Sequence, residues 1–65
     1  MTDATGSPIR VLIVNDSPTS RLALRLALAS EPSMRVVGEA ATGAEAVAFV
    51  TRDGAQEVDV ILMDV

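Results

Sequence analysis

The chain has 65 residues, 49% of them hydrophobic and 22% charged, which is the usage of a folded domain and not of a disordered one. Five basic residues against nine acidic give a net charge of −4, which argues against nucleic acid or anionic lipid as a partner, and no apolar stretch reaches the roughly 18 residues of a membrane span. Cysteine and histidine are both missing, which excludes disulfides, thiolate nucleophiles and imidazole bases or ligands.

Residues 1–8 (MTDATGSP) are small and polar, broken by Gly6 and Pro8, and read as a flexible leader. No basic segment followed by an apolar one marks a secretory signal, so a cytoplasmic protein is expected. Ile9 to Val14 (IRVLIV) is almost wholly apolar and β-branched, as suits a central parallel strand covered on both faces. Asn15 to Ser17 forms a turn. Ser17 is a good N-cap and Pro18 fits the first helical position, so a helix is expected over 18–30, rich in Leu, Ala and Arg. Leu22, Leu24, Leu26 and Leu28 alternate like a strand, but the cap, the length and the lack of β-branched residues after Thr19 favour the helix. Its apolar positions cover most of the circumference, which calls for cover on more than one side. Arg21 and Arg25, four apart, read as a solvated stripe.

Met34 to Ala40 (MRVVGEA) reads as a second strand with Glu39 on its exposed side. Thr42-Gly43-Ala44-Glu45 is a capping box that opens a second helix, in which Val47, Phe49 and Val50 are the larger apolar residues. Gly54 suits the left-handed position just past that helix. The third strand runs from about Val58 to Met63, with Met63 and Phe49 assigned to the core. The order β-α-β-α-β implies a parallel α/β sheet with right-handed crossovers and helices on its faces. Ligands of such sheets sit outside the carboxyl ends of the strands, where this chain carries Asn15, Asp16 and Asp64.

The chemistry open to these residues is narrow. There is no glycine-rich dinucleotide turn, no phosphate-binding P-loop and no nucleophile elbow. A phosphatase with a second Asp two residues after its nucleophile is disfavoured, because that position is Pro18. On spacing alone, Asp16 reads first as a turn or cap residue and Asp64 as the polar start of a loop. As a pair they also suit Mg²⁺, which takes one or two carboxylates and keeps several waters. A carboxylate is also a competent phosphoryl acceptor. A small α/β phosphatase or nucleotide-binding enzyme stays open at this point.

Five stretches together resemble a known family. They are Val11 to Ser17 (VLIVNDS), Arg21 on the leucine-rich helix, Val36 to Ala40 (VVGEA), Thr42 to Val47 (TGAEAV) and Asp59 to Val65 (DVILMDV). This pattern is similar to the first half of a response-regulator receiver domain of bacterial two-component signalling, and it covers roughly Ile9 to Val65. The resemblance implies a flavodoxin-like α/β fold truncated to three parallel strands in the order 2-1-3, with strands 4 and 5 and helices 3 to 5 absent. It implies that Asp64 is the phosphoacceptor, receiving phosphoryl from a histidine kinase, and that Asp16 and Asp64 hold Mg²⁺ directly. Asn15 would act through a water, standing where the family's first acidic residue is usual. That departure takes the site from −3 to −2 and implies weaker Mg²⁺ affinity with phosphorylation retained.

Asn15 to Arg21 (NDSPTSR) followed by VVGEA is most similar to the regulatory domain of chemotaxis protein-glutamate methylesterases. A receiver of a DNA-binding regulator, or one standing alone, is the alternative. The resemblance further implies that the output domain is missing from this chain, that no catalytic residue lies within it, and that it does not signal by itself. Val60 to Met63 would lie bare at a sheet edge.

Overall fold

The computed structural model describes residues 8–52 and 58–64. Five elements follow one another: β1 (Ile9–Asn15), α1 (Pro18–Ala29), β2 (Met34–Ala40), α2 (Gly43–Thr51) and β3 (Val60–Asp64). All strands are parallel, and the sheet order is β2-β1-β3. The expected architecture and order are therefore present. The first strand runs one residue further than the sequence suggests and the third begins two residues later. The leader and Gly54 lie outside the described residues, except for Pro8.

β1 is central because its sequence allows it to be nothing else. From Val11 to Asn15 every residue is buried, and Leu12 and Ile13 are fully so. A strand apolar on both pleats needs a layer on each face and a strand on each side. One face holds Leu12, Val14, Ala40 and Ala46, with Phe49, Val50 and Val58 packed against them. α1 is tied to β1 and β2 by polar contacts described below.

β2 carries an irregularity. Val11 pairs with Val36 but Leu12 pairs with Gly38, so Val37 is an extra residue and the strand bulges there. Gly38 then lies directly under Phe49. A Cβ built on Gly38 would stand 2.7 and 2.8 Å from two Phe49 ring carbons. Here glycine serves close approach of ring to backbone.

Both helices start as their sequences dictate. The Ser20 N–H donates to Ser17 Oγ (3.2 Å), and the Glu45 N–H donates to Thr42 Oγ1 (3.1 Å). The Glu45 carboxylate reaches back, but to the Ala41 N–H (2.9 Å), one residue before the cap itself. The apolar excess of α1 is real: none of its residues is buried, and Leu26 is 61% exposed. β3 differs from expectation in one side chain. Met63, assigned to the core, is 56% exposed, and its neighbours Val60, Ile61 and Leu62 are also open. No helix among the described residues is long and apolar enough to cross a membrane.

Candidate functional site

The carboxyl ends of β1 and β3 are in register. Asn15 pairs with Asp64, the last link of a ladder that begins at Val11 and Val60. Asp16 follows Asn15 directly, so the chain brings residues 15, 16 and 64 to one end of the sheet. The register also sets the backbones of positions 15 and 64 side by side at this end of the sheet.

The turn from β1 to α1 is held from three directions. The Ser17 N–H donates to Asn15 Oδ1 (2.8 Å), which closes a turn around Asp16. Ser17 Oγ caps the helix. The guanidinium of Arg21 donates through Nη1 to the Asn15 main-chain carbonyl (2.7 Å). Asn15 is 4% exposed, so its polar groups must find partners within the protein, and these bonds supply them. Asp16, by contrast, is exposed and has no hydrogen bond or ion pair among the described residues. The turn is thus fixed while one carboxylate on it stays available to a ligand.

Arg21 and Arg25 are not the solvated stripe that their spacing suggested. Arg21 Nε lies 3.5 Å from Glu39 Oε1, and Arg25 Nη1 lies 3.1 Å from Glu39 Oε2. Glu39 pairs in register with Ile13 on β1, so its carboxylate joins α1 to β2. The crossover packs α1 against the strand it leads to, and only this long-range placement brings the pair to Glu39. An i, i+4 arginine pair with one glutamate on the following strand was the available signal.

A second polar cluster marks the opposite end of β1 and β3. Arg10 donates Nε to Asp59 Oδ2 (3.0 Å), Nη2 to Oδ1 (3.2 Å) and its main-chain N–H to Oδ2 (2.9 Å). The Asp59 N–H returns a bond to the Arg10 carbonyl (2.8 Å). These bonds from Arg10 hold the Asp59 carboxyl below the usual carboxylate range. This cluster fixes β3 to β1 and so helps to set the register at the far end. Nothing in the strand pattern alone distinguished Asp59 from an ordinary loop residue.

The chain is similar to several curated proteins. It is 48% identical over 59 residues to protein-glutamate methylesterase/protein-glutamine glutaminase 3 of Anaeromyxobacter dehalogenans, covering 88% of this chain and 17% of that protein. It is 50% identical over 56 residues to the enzyme of the same name from Pseudomonas aeruginosa, covering 86% and 16%. It is 40% identical over 59 residues to the nitrate/nitrite response regulator protein NarP of Escherichia coli, covering 91% and 26%. The chain spans about a sixth of the length of the methylesterases it matches. No family model and no solved structure matches it.

Proposed function

We propose, from the chain's membership of the receiver family of response regulators, that it is the phosphoryl-accepting part of a signalling switch, with Asp64 as the acceptor. The observation that carries this reading is the in-register pairing of Asn15 with Asp64 beside an exposed Asp16 that has no hydrogen bond or ion pair among the described residues. In the proposed step a carboxylate oxygen of Asp64 forms a bond to the phosphorus of a phosphohistidine on a histidine kinase. The P–N bond breaks, the imidazole leaves with its electron pair and takes up a proton, and an acyl phosphate remains on Asp64. Asp16 and Asp64 are the carboxylates that would hold Mg²⁺, whose charge offsets that of the transferring phosphoryl group. A water-mediated part for Asn15 has to coexist with its bond from the Ser17 N–H. The protein would work in the cytoplasm, and the output it controls would be a protein-glutamate methylesterase like those of its relatives.

The chain's own residues do most of the positioning. The clamp of Ser17 and Arg21 on Asn15 fixes the turn, so little conformational freedom is lost when Asp16 takes up a cation. Asn15 keeps a hydrogen-bond acceptor for the Ser17 N–H but contributes no charge, which leaves the site with the carboxylates of Asp16 and Asp64. The direct test is incubation with acetyl phosphate and Mg²⁺, followed by mass spectrometry. A gain of one phosphoryl group, lost in Asp64→Asn, is expected; labelling that survives Asp64→Asn refutes the assignment. In the same protein Asn15→Asp should bind Mg²⁺ more tightly, because an aspartate keeps the bond to Ser17 and adds a charge. Equal affinity would refute the charge argument and leave the phosphoacceptor standing.

A further inference from the structure

The outer edge of β2 carries a feature that the phosphoryl site does not use. Between β2 and the C-terminal half of α1 lies a hollow of about 550 Å³, whose lining includes Leu28, Met34, Val36, Arg25, Arg35 and Glu39. A second hollow of about 440 Å³ shares Arg35, Val36 and Val37 and adds Arg10. Both hollows are lined by residues of β2. No strand lies beyond β2 among the described residues, so both are bordered by unpaired backbone.

The charge on this rim is opposite to that of the whole chain. Arg21 and Arg25 share one carboxylate, that of Glu39, and Arg35 is exposed with no partner among the described residues. Glu31, at the turn into β2, accepts from Ser33 Oγ. Arg10 is matched by Asp59. Four guanidinium groups, those of Arg10, Arg21, Arg25 and Arg35, therefore stand against the carboxylates of Asp59, Glu39 and Glu31 around β2, in a chain of net charge −4. An exposed strand edge complements an extended backbone, and the surplus arginine complements a carboxylate.

We infer that the β2 edge is a docking site for an extended acidic peptide segment of a partner protein, laid along Met34 to Val37 and gripped by Arg35 and Arg25. The bulge at Val37 interrupts the edge, so backbone pairing is short and charge supplies much of the hold. The other sheet edge, β3, offers apolar side chains and no arginine over Val60 to Met63, and does not select such a ligand.

The test uses a short fluorescent peptide alternating glutamate and valine, titrated into the full chain, with a lysine-valine peptide as control. Saturable binding of the glutamate peptide is expected, weakened by about tenfold in Arg35→Glu and by added salt, as one exposed ion pair turned to repulsion implies. Backbone NMR shifts should fall on Val36 and Val37. Arg35 is exposed, so the variant keeps the fold. Absence of binding at millimolar peptide, undiminished binding to Arg35→Glu, equal binding of the lysine peptide, or shifts confined to Val60 to Met63 would each overturn the inference.

Discussion

Replacing Gly38 with alanine tests how the α2 face of the sheet is packed. The added methyl group would meet Phe49 Cε2 at 2.7 Å, Phe49 Cζ at 2.8 Å and Leu12 Cδ1 at 3.2 Å. Carbon atoms rest at about 3.5–4.0 Å, so the ring must retreat by roughly 1 Å. It retreats from a cluster in which Leu12 is fully buried, so the contacts it gives up are not replaced. Overpacking of this kind costs about 1–3 kcal/mol. Alanine recovers about 0.5–1 kcal/mol, because glycine in a strand interior surrenders more backbone freedom on folding. The net loss is about 1–2 kcal/mol, a large share of the roughly 3–10 kcal/mol open to a chain of this size. A urea titration at micromolar concentration, followed by far-ultraviolet circular dichroism, should show the midpoint falling by about 1 M. Trimming the ring separates packing from backbone effects. Gly38→Ala combined with Phe49→Leu should cost about 1 kcal/mol less than the two changes summed. A midpoint at or above that of the parent in Gly38→Ala, or strict additivity in the double variant, would refute the reasoning.

Arg21→Ala removes the donor to the Asn15 carbonyl and one partner of Glu39, and should cost about 1–2 kcal/mol in the same titration. Arg21→Lys should recover only part, since an ammonium group does not reproduce the fork that reaches both acceptors; an unchanged midpoint in Arg21→Ala would dismiss the clamp. The Arg10–Asp59 pair gives a pH signature. The Asp59 carboxyl titrates below its ordinary 3.8 in the folded chain, so the folded state binds this proton less readily than the unfolded one. The pair's contribution is therefore complete above pH 3.8 and disappears as pH falls through the lower folded value. Asp59→Asn should be less stable than the parent at neutral pH and converge with it in acid. A difference that stays constant down the acid limb would show that Asp59 stabilises by shape alone.

What the sequence disclosed and what it withheld divide along sequence distance. Ser17, Pro18 and Thr42 announce their helices because a cap is settled within four residues. The unbroken apolar run of β1 announces a central strand for the same reason. The order β-α-β-α-β, read with the known preference for right-handed crossovers, was enough to bring Asn15, Asp16 and Asp64 to one end of the sheet. Contacts between distant segments were not legible in this way. Arg21 and Arg25 look like a solvent stripe until α1 is laid over β2 and Glu39 rises between them. Arg10 and Asp59 are 49 residues apart, and no local pattern marks them as partners. The bulge at Val37 left no trace in a strand whose alternation already broke at Gly38. Met63 was assigned by its apolarity, but burial depends on a covering layer, and no layer lies over it among the described residues.

The asymmetry between β1 and β3 sets how long each half of the site persists. β1 is flanked on both sides and sealed between layers, so its amide protons should exchange with solvent only when the whole domain opens. Among the described residues β3 pairs with β1 alone and has half-open side chains, so its amides should exchange sooner, through local detachment. Each detachment would carry position 64 away while the turn at positions 15 to 17 keeps its shape. A cation that bridges the two strands would therefore act as a fastener, lengthening the lifetime of the β1–β3 seam as it binds.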